Sequence, residues 1–338
     1  MHFSGLLSSL LAVSTLTETT AALPSASRSR VTAKSISTVF QFGYDAEIEN
    51  LAVRPNGNIL FTEPSPGANV WEIDPSIVNG SAILRKDFPD VTTALGVSSI
   101  GPDVFAVTTG DVGSGFAGDV GTFAVHILRY TGNNTVQTTG PISIPGGKLV
   151  NKITPLNPPS DVILVSDPES YHVLSVNLRT GAIKTVLHDA ETMNATTSFP
   201  IGVNGIRTVG KYLYYINTAK ALLARVALNR DGSAAGPYEI VANISRTLLE
   251  PDDFAVLPSG DAFIAGSNEI VHVQPDGKFS VLAGGEHQLQ LAGATSALFG
   301  VGPKSNILYV TTTGHGSAPG NTTFVEPGKV VAIEVSGL

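Results

Sequence analysis

Short apolar runs, cut by turn residues, recur down the whole chain. Leu51–Val53 is followed by the turn Pro55-Asn56-Gly57, then Ile59–Thr62, a loop, Val70–Ile73 and a turn at Asp74-Pro75. Phe254–Val256, Pro258–Asp261, Ala262–Ala265, Ile270–Val273 and Pro275–Gly277 repeat that order. A third copy runs through Val203–Ile206, the turn Val209-Gly210-Lys211 and Tyr212–Ile216, and a fourth opens at Asn151-Lys152-Ile153-Thr154. β-rich runs bounded by Asn-Gly and Asp-Gly turns read as antiparallel strands joined by hairpins. No stretch carries a convincing helical period. The units open near Glu49, Leu95, Asn151, Asn204, Asp252 and Leu298, at steps of 46 to 56 residues. That is the spacing of propeller blades, each a four-stranded antiparallel sheet. The pattern therefore predicts an all-β fold, a six-bladed β-propeller. The last unit offers three strands: the opening one, Ile307–Thr311 and Lys329–Val335. Ile36–Phe42, ahead of the first unit, is expected to supply the fourth and close the ring, leaving no free sheet edge there.

Composition narrows the classes. Charged residues are 14% and hydrophobic residues 42% of the 338 positions, with 35 Gly and 21 Pro, a globular and not a disordered balance. The net charge of −8, with no basic cluster, speaks against nucleic acid as a partner. The absence of cysteine removes disulfides, thiolate metal sites and thiol nucleophiles. Gly5–Val13 is a short apolar core followed by small residues at Ala21, Ala22 and Ala26, the form of a secretory signal over residues 1–22. Residues 23–35 read as a flexible lead-in, and 36–338 as a single propeller. Sequons at Asn79, Asn133, Asn194, Asn243 and Asn321 fit a glycoprotein of the secretory pathway. No later run is apolar and long enough to span a membrane.

Propeller geometry brings the residues that open each first strand together around the axis on one face. Glu49, Asn151, Asn204 and Asp252 hold that place in blades one, three, four and five. Four converging oxygen-bearing side chains suit a hard cation, Ca²⁺ or Mg²⁺, although Asn and Asp also open strands simply as turn residues. The loops around them carry Leu95, Leu149, Val150, Phe199, Ile201, Val203, Leu248, Leu249 and Phe299, which predicts a mostly apolar pocket for a lipophilic small molecule. Tyr171 and Lys220 add donors at its rim. Two long Gly-rich loops, Thr109–Thr122 and Thr313–Gly328, belong to the blades flanking blade one and are expected to fold over the Glu49 side. Candidate acid–base groups there are His315, Asp111 and Asp167, with Asp119 and Glu63 behind them. Trp71, His126, His172, His188 and His272 fall on outer strands or turns and read as structural.

Asn204-Gly205-Ile206, Pro251-Asp252, Glu49 and Asn151 together resemble the senescence marker protein/gluconolactonase (regucalcin-like) propellers. In Pro251-Asp252 the following position, Asp253, departs from that family's Gly. The resemblance implies that the four residues ligate a divalent metal and that the substrate is a lactone. Leu149 stands where relatives acting on sugar acids can carry Arg, which points away from sugars. The signal, the sequons, the length and the lack of cysteine are also similar to the fungal hetero-Diels–Alderases, which join a polyketide-derived quinone methide to a terpene. That resemblance implies an apolar chamber and no required metal, and it transfers no catalytic residue. Three readings stay open: a cyclase, a metal-dependent lactone hydrolase, and a propeller that only binds.

Overall fold

The computed structural model describes residues 30–113, 117–132, 135–156, 161–248, 250–285, 288–315 and 326–338. The expected signal, most of the lead-in, Asn133, Asn321 and Leu249 lie outside the described residues.

Six four-stranded antiparallel sheets form a ring. The chain enters through β1 (Thr32–Gln41). Blade one is β2 (Leu51–Val53), β3 (Ile59–Glu63), β4 (Asn69–Ile73) and β5 (Ile83–Asp87); blade two is β6 (Thr93–Gly101), β7 (Val104–Gly110), β8 (Ala124–Thr131) and β9 (Thr135–Ser143). Blade three is β10 (Ile153–Pro155), β11 (Val162–Asp167), β12 (His172–Asn177) and β13 (Ile183–His188). Blade four is β14 (Val203–Val209), β15 (Tyr212–Asn217), β16 (Leu222–Leu228) and β17 (Ala234–Asn243). Blade five is β18 (Pro251–Val256), β19 (Ala262–Gly266), β20 (Glu269–Val273) and β21 (Phe279–Gly284). Blade six contributes β22 (Ala294–Phe299), β23 (Ile307–Thr312) and β24 (Lys329–Ser336). Its fourth strand is β1, antiparallel to β24 from Thr32 opposite Ser336 to Gln41 opposite Lys329. The ring is thus closed by the N-terminal strand.

Burial explains the sequence pattern. The second strands β3, β7 and β19 are buried at every position, because both sheet faces meet neighbouring blades. Such strands read as continuous apolar runs and not as alternation. The cores lie between blades: Leu164 and Val173 of blade three, for instance, share a cluster with Val203, Leu213 and Tyr215 of blade four. Blade six opens at Ala294, four residues before the Leu298 expected from the repeat. The run Ala294-Thr295-Ser296-Ala297 has side chains too small to signal a strand, and the turn before it is made by Gly293 at φ +64°.

A hydroxyl on the second strand stitches each of several blades to the next. Thr62 accepts from the Asn50 N–H and donates to the Leu95 carbonyl of blade two at 2.6 Å. Thr108 accepts from the Gly96 N–H at 2.7 Å and donates to the Asn151 carbonyl of blade three at 2.9 Å. Thr311 donates to the Glu49 carbonyl of blade one at 3.0 Å. Glu49, Leu95 and Asn151 are fixed at equivalent heights by this device. Thr108→Val keeps shape but leaves the Gly96 N–H and the Asn151 carbonyl unpaired. Unfolding in denaturant is expected to show a loss of about 2–4 kcal/mol.

Candidate functional site

Glu49 and Asn151 stand just before β2 and β10, while Asn204 and Asp252 are the second residues of β14 and β18. The four side chains meet. The Asn151 amide nitrogen donates to Glu49 Oε1 at 3.3 Å and to Asn204 Oδ1 at 3.0 Å. Asn204 Nδ2 donates onward to Asp252 Oδ1 at 2.7 Å and to Thr218 Oγ1 at 3.2 Å. The result is a continuous arc, Glu49–Asn151–Asn204–Asp252, across blades separated by up to two hundred residues of sequence. The carboxylate side chains keep 12% and 19% exposure at Glu49 and Asp252, so the arc opens onto one face.

Directly after Asn151, Lys152 is fully buried and places its ammonium among the carboxylates. Lys152 Nζ donates to Glu49 Oε1 at 3.3 Å and lies 3.9 Å from Asp252 Oδ1 and 3.8 Å from Asp253 Oδ2. Asp253 also pairs with Arg207 and accepts from Ser296 Oγ at 2.7 Å. Three carboxylates thus share two cations. Burial alone would pull the Lys152 pKa down; the three carboxylates outweigh it, and the net direction is up. Asp252 goes well above the usual carboxylate range, chiefly through burial, then through the neighbouring Glu49 charge. Glycines flank Lys152 on the adjoining blades. A Cβ on Gly96 would sit 2.1 Å from the Asn151 carbonyl oxygen, and one on Gly205 2.6 Å from that of Asp252. Only bare backbone lets the blades close this tightly on the axis.

As these side chains stand, they do not fit a divalent cation. An ion between Glu49 and Asp252 would lie roughly 4 Å from the ammonium, an opposition of about 8 kcal/mol at an effective dielectric near 20. The two amides turn N–H groups, not oxygens, toward the carboxylates. One acceptor does ask for a ligand: Asn151 Oδ1 is buried without a hydrogen-bond partner, as are Asn50 Nδ2 and Asp253 Oδ1 in the layer beneath. A neutral hydroxyl would satisfy Asn151 Oδ1 with no conflict of charge.

The acid–base candidates separate. His315 Nε2 lies 3.1 Å from Glu47 Oε1, both partly exposed, two residues before Glu49. Burial raises the Glu47 pKa, against the pull of His315 and with the help of Glu49 and Asp45. Asp167 is fully buried and accepts from the backbone N–H groups of Lys148, Leu149 and Ser170. It clamps the loop that opens blade three. Glu63 accepts from Tyr44, Asn69 and Trp71 in the same manner. Asp111 accepts from the Thr92 N–H within its own blade, and Asp119 is exposed. The ends of the Thr313–Gly328 loop do lie on blade one, where the Gly328 N–H donates to the Ala46 carbonyl at 2.7 Å. The blade-two loop leans the other way: a Cβ on Gly118 would sit 1.7 Å from the Lys148 carbonyl oxygen, so this loop packs on blade three.

Of the apolar set, Leu149, Val150 and Ile201 share one cluster, with Leu95 and Phe199 packed against it. Val203 and Leu248 belong to two other clusters. Phe299 ends β22 and packs edge-on against Phe263 at 4.9 Å. Five residues beyond the start of its strand, it is about 17 Å from the opening. Tyr171 has φ +62° beside Gly202, and Lys220 donates to the carbonyls of Ala190 and Glu191. Trp71 donates to Glu63, and the outer histidines have structural partners, such as His272 with Asp261 at 2.9 Å. Asn79 and Asn243 are exposed, and Asn194 is half-buried beside His188. Two grooves of about 520 and 570 Å³ lie on blade flanks, one beside Ile127 and Leu178, the other beside Phe40, Tyr44 and Trp71, and neither includes a residue of the arc.

Lys152, Asp253, Arg207 and Glu47 carry no motif in the sequence. The signal for the first two was their register: each directly follows an arc residue, so its side chain turns to the layer below.

The chain is a six-bladed propeller, and its residues 169–314 match the family model described as SMP-30/Gluconolactonase/LRE-like region. That region includes Asn204 and Asp252 and stops short of Glu49 and Asn151. Among whole-chain relatives, a protein of Sarocladium schorii provisionally named hetero-Diels-Alderase asR5 is 28% identical over 329 residues, covering 86% of this chain and 81% of that one. A protein of a Phoma species, provisionally named hetero-Diels-Alderase, is 27% identical over 297 residues, covering 78% and 82%. The fold is also that of a luciferin-regenerating enzyme, with TM-score 0.63 and 14% identity over 88% of this chain and 94% of that one. A gluconolactonase from Xanthomonas campestris gives TM-score 0.59 and 12% identity, covering 89% of each chain.

Proposed function

We propose that the protein is an enzyme of natural-product biosynthesis that joins a polyketide-derived quinone methide to a terpene alkene by a hetero-Diels–Alder addition. The observation that carries this reading is the similarity over most of the chain to two proteins named for that reaction. An arc whose cation is a lysine supports it, as does the absence of a fixed arginine at Leu149. In the addition, the oxygen and the terminal carbon of the oxadiene form one C–O and one C–C bond with the alkene. No atom is lost, and the protein's part is to hold two lipophilic partners in near-attack geometry. Before it, a benzylic alcohol must lose its hydroxyl as water, and its phenol must release a proton to give the quinone methide. In this reading His315, paired with Glu47 two residues before Glu49, delivers the proton to the leaving hydroxyl.

His315→Ala is expected to lower turnover of the alcohol precursor by about 10²-fold or more, with much less effect on a preformed quinone methide. Equal losses with both substrates would remove His315 from the dehydration step. The reading as a whole is tested by incubating the protein with the lipophilic precursors after exhaustive chelation. Product should form. Turnover of a lactone, abolished by EDTA and restored by Ca²⁺, would select the second reading, a metal-dependent lactone hydrolase, which the gluconolactonase-like region favours.

A further inference from the structure

We propose that the Lys152 ammonium permanently occupies the place of a cation at the centre of the carboxylate–amide arc, and that the arc admits a divalent ion only once this lysine is removed. The inference does not rest on the cyclisation reading, but it conflicts with the lactone-hydrolase reading, which would need a divalent ion at this arc.

It rests first on position. The ammonium donates a hydrogen bond to Glu49, beside that from Asn151, and lies within 4 Å of Asp252 and Asp253, so it touches carboxylates from blades one and five while anchored in blade three. A single ion serving those carboxylates would need the same central place. Fit is the second ground. Lys152 has no exposed surface, and its neighbours at the same height on blades two and four are Gly96 and Gly205, where no side chain competes with it. The third is the direction of the amides. Asn151 and Asn204 point N–H groups at Glu49 and Asp252 and form one donor chain, a pattern that complements carboxylates already neutralised from below. Arg207 completes the balance from the outer side of Asp253.

Shortening the lysine removes the charge and leaves a gap beside Glu49 and Asp252, toward which the Asn151 and Asn204 amides can turn their oxygens, the donor chemistry that hard cations prefer. The test is calorimetric and thermal titration of the whole protein with Ca²⁺, Mg²⁺ and Mn²⁺, using wild type, Lys152→Ala, Lys152→Gln and Lys152→Ala combined with Glu49→Gln. Wild type should show no saturable rise in Tm. Lys152→Ala should show one, with affinity more than about 100-fold above any wild-type response, and Glu49→Gln should abolish it. Lys152→Gln keeps a long polar side chain, one atom shorter and uncharged, and is expected to remain folded with a weaker gain. If Lys152→Ala unfolds in chelator, refolding on addition of Ca²⁺ is the same positive result, and failure to refold in any of the three ions counts against the proposal. A Glu49-dependent site in wild type, or variants that respond no more than wild type, would overturn it.

Discussion

Replacing Lys152 by methionine is expected to lower stability by about 3–5 kcal/mol, the usual result of removing one partner from a buried ion cluster. Methionine keeps an unbranched apolar chain of similar length and volume, so the loss reports charge far more than packing. Three carboxylates would then share one cation, Arg207, which reaches only Asp253. The pH dependence gives the cause away. Without the ammonium, the folded pKa of Asp252, already raised by burial and by the neighbouring Glu49 charge, rises further above its unfolded value near 4. A group shifted upward stabilises the fold fully below its unfolded pKa and loses that contribution as pH rises through the folded value. The gap between wild type and variant should therefore be small in acid and widen toward neutrality. Equilibrium unfolding across pH measures it; a pH-independent gap would indicate lost packing instead. Adding Glu49→Gln to the variant should recover part of the loss, because the two residues are in contact and couple.

The second large effect concerns Asp167. Asp167→Ala is expected to cost about 3–5 kcal/mol, since three backbone N–H groups lose a buried charged acceptor. The damage should be local as well as global. Hydrogen exchange at the Lys148 and Leu149 amides should accelerate well beyond that of β11, and the loop that positions Asn151 should loosen with it. Asp167→Asn keeps an oxygen acceptor and should retain most of the stability. Were Asp167 a proton-transfer group, the asparagine variant would instead fold normally and lose turnover. Stability and activity measured on the same two variants separate these outcomes.

The course of the chain was legible in its turns. Short apolar runs cut by turn residues, recurring at steps of 46 to 56 residues, located six blades, and the unpaired run Ile36–Phe42 identified the closing strand. The arc was legible for the same reason: equivalent places in a repeat must meet at an axis, so Glu49, Asn151, Asn204 and Asp252 could be brought together without knowing any contact. What lay beneath them could not be read that way. Lys152 looks like any polar residue opening a strand, and its burial follows only from the position of Asp253 a hundred residues on. Phe299 shows the opposite failure. Small side chains at Ala294–Ala297 hid the start of β22, the blade was begun four residues late, and a residue at the strand's far end was placed at its mouth. Asp167 and Glu63 were chosen for their chemistry and their face, but acidic residues ending a second strand serve here as acceptors for loop backbone and indole donors.

The central claim is that distant loop openings meet around a lysine ammonium on the propeller axis. A high-resolution crystal structure of the protein grown in the presence of Ca²⁺ tests it most directly. The account predicts Lys152 Nζ in contact with Glu49 and within reach of Asp252 and Asp253, with no ion between them. A Ca²⁺ ion ligated by Glu49, Asn204 and Asp252, with the Lys152 side chain turned away, would contradict it.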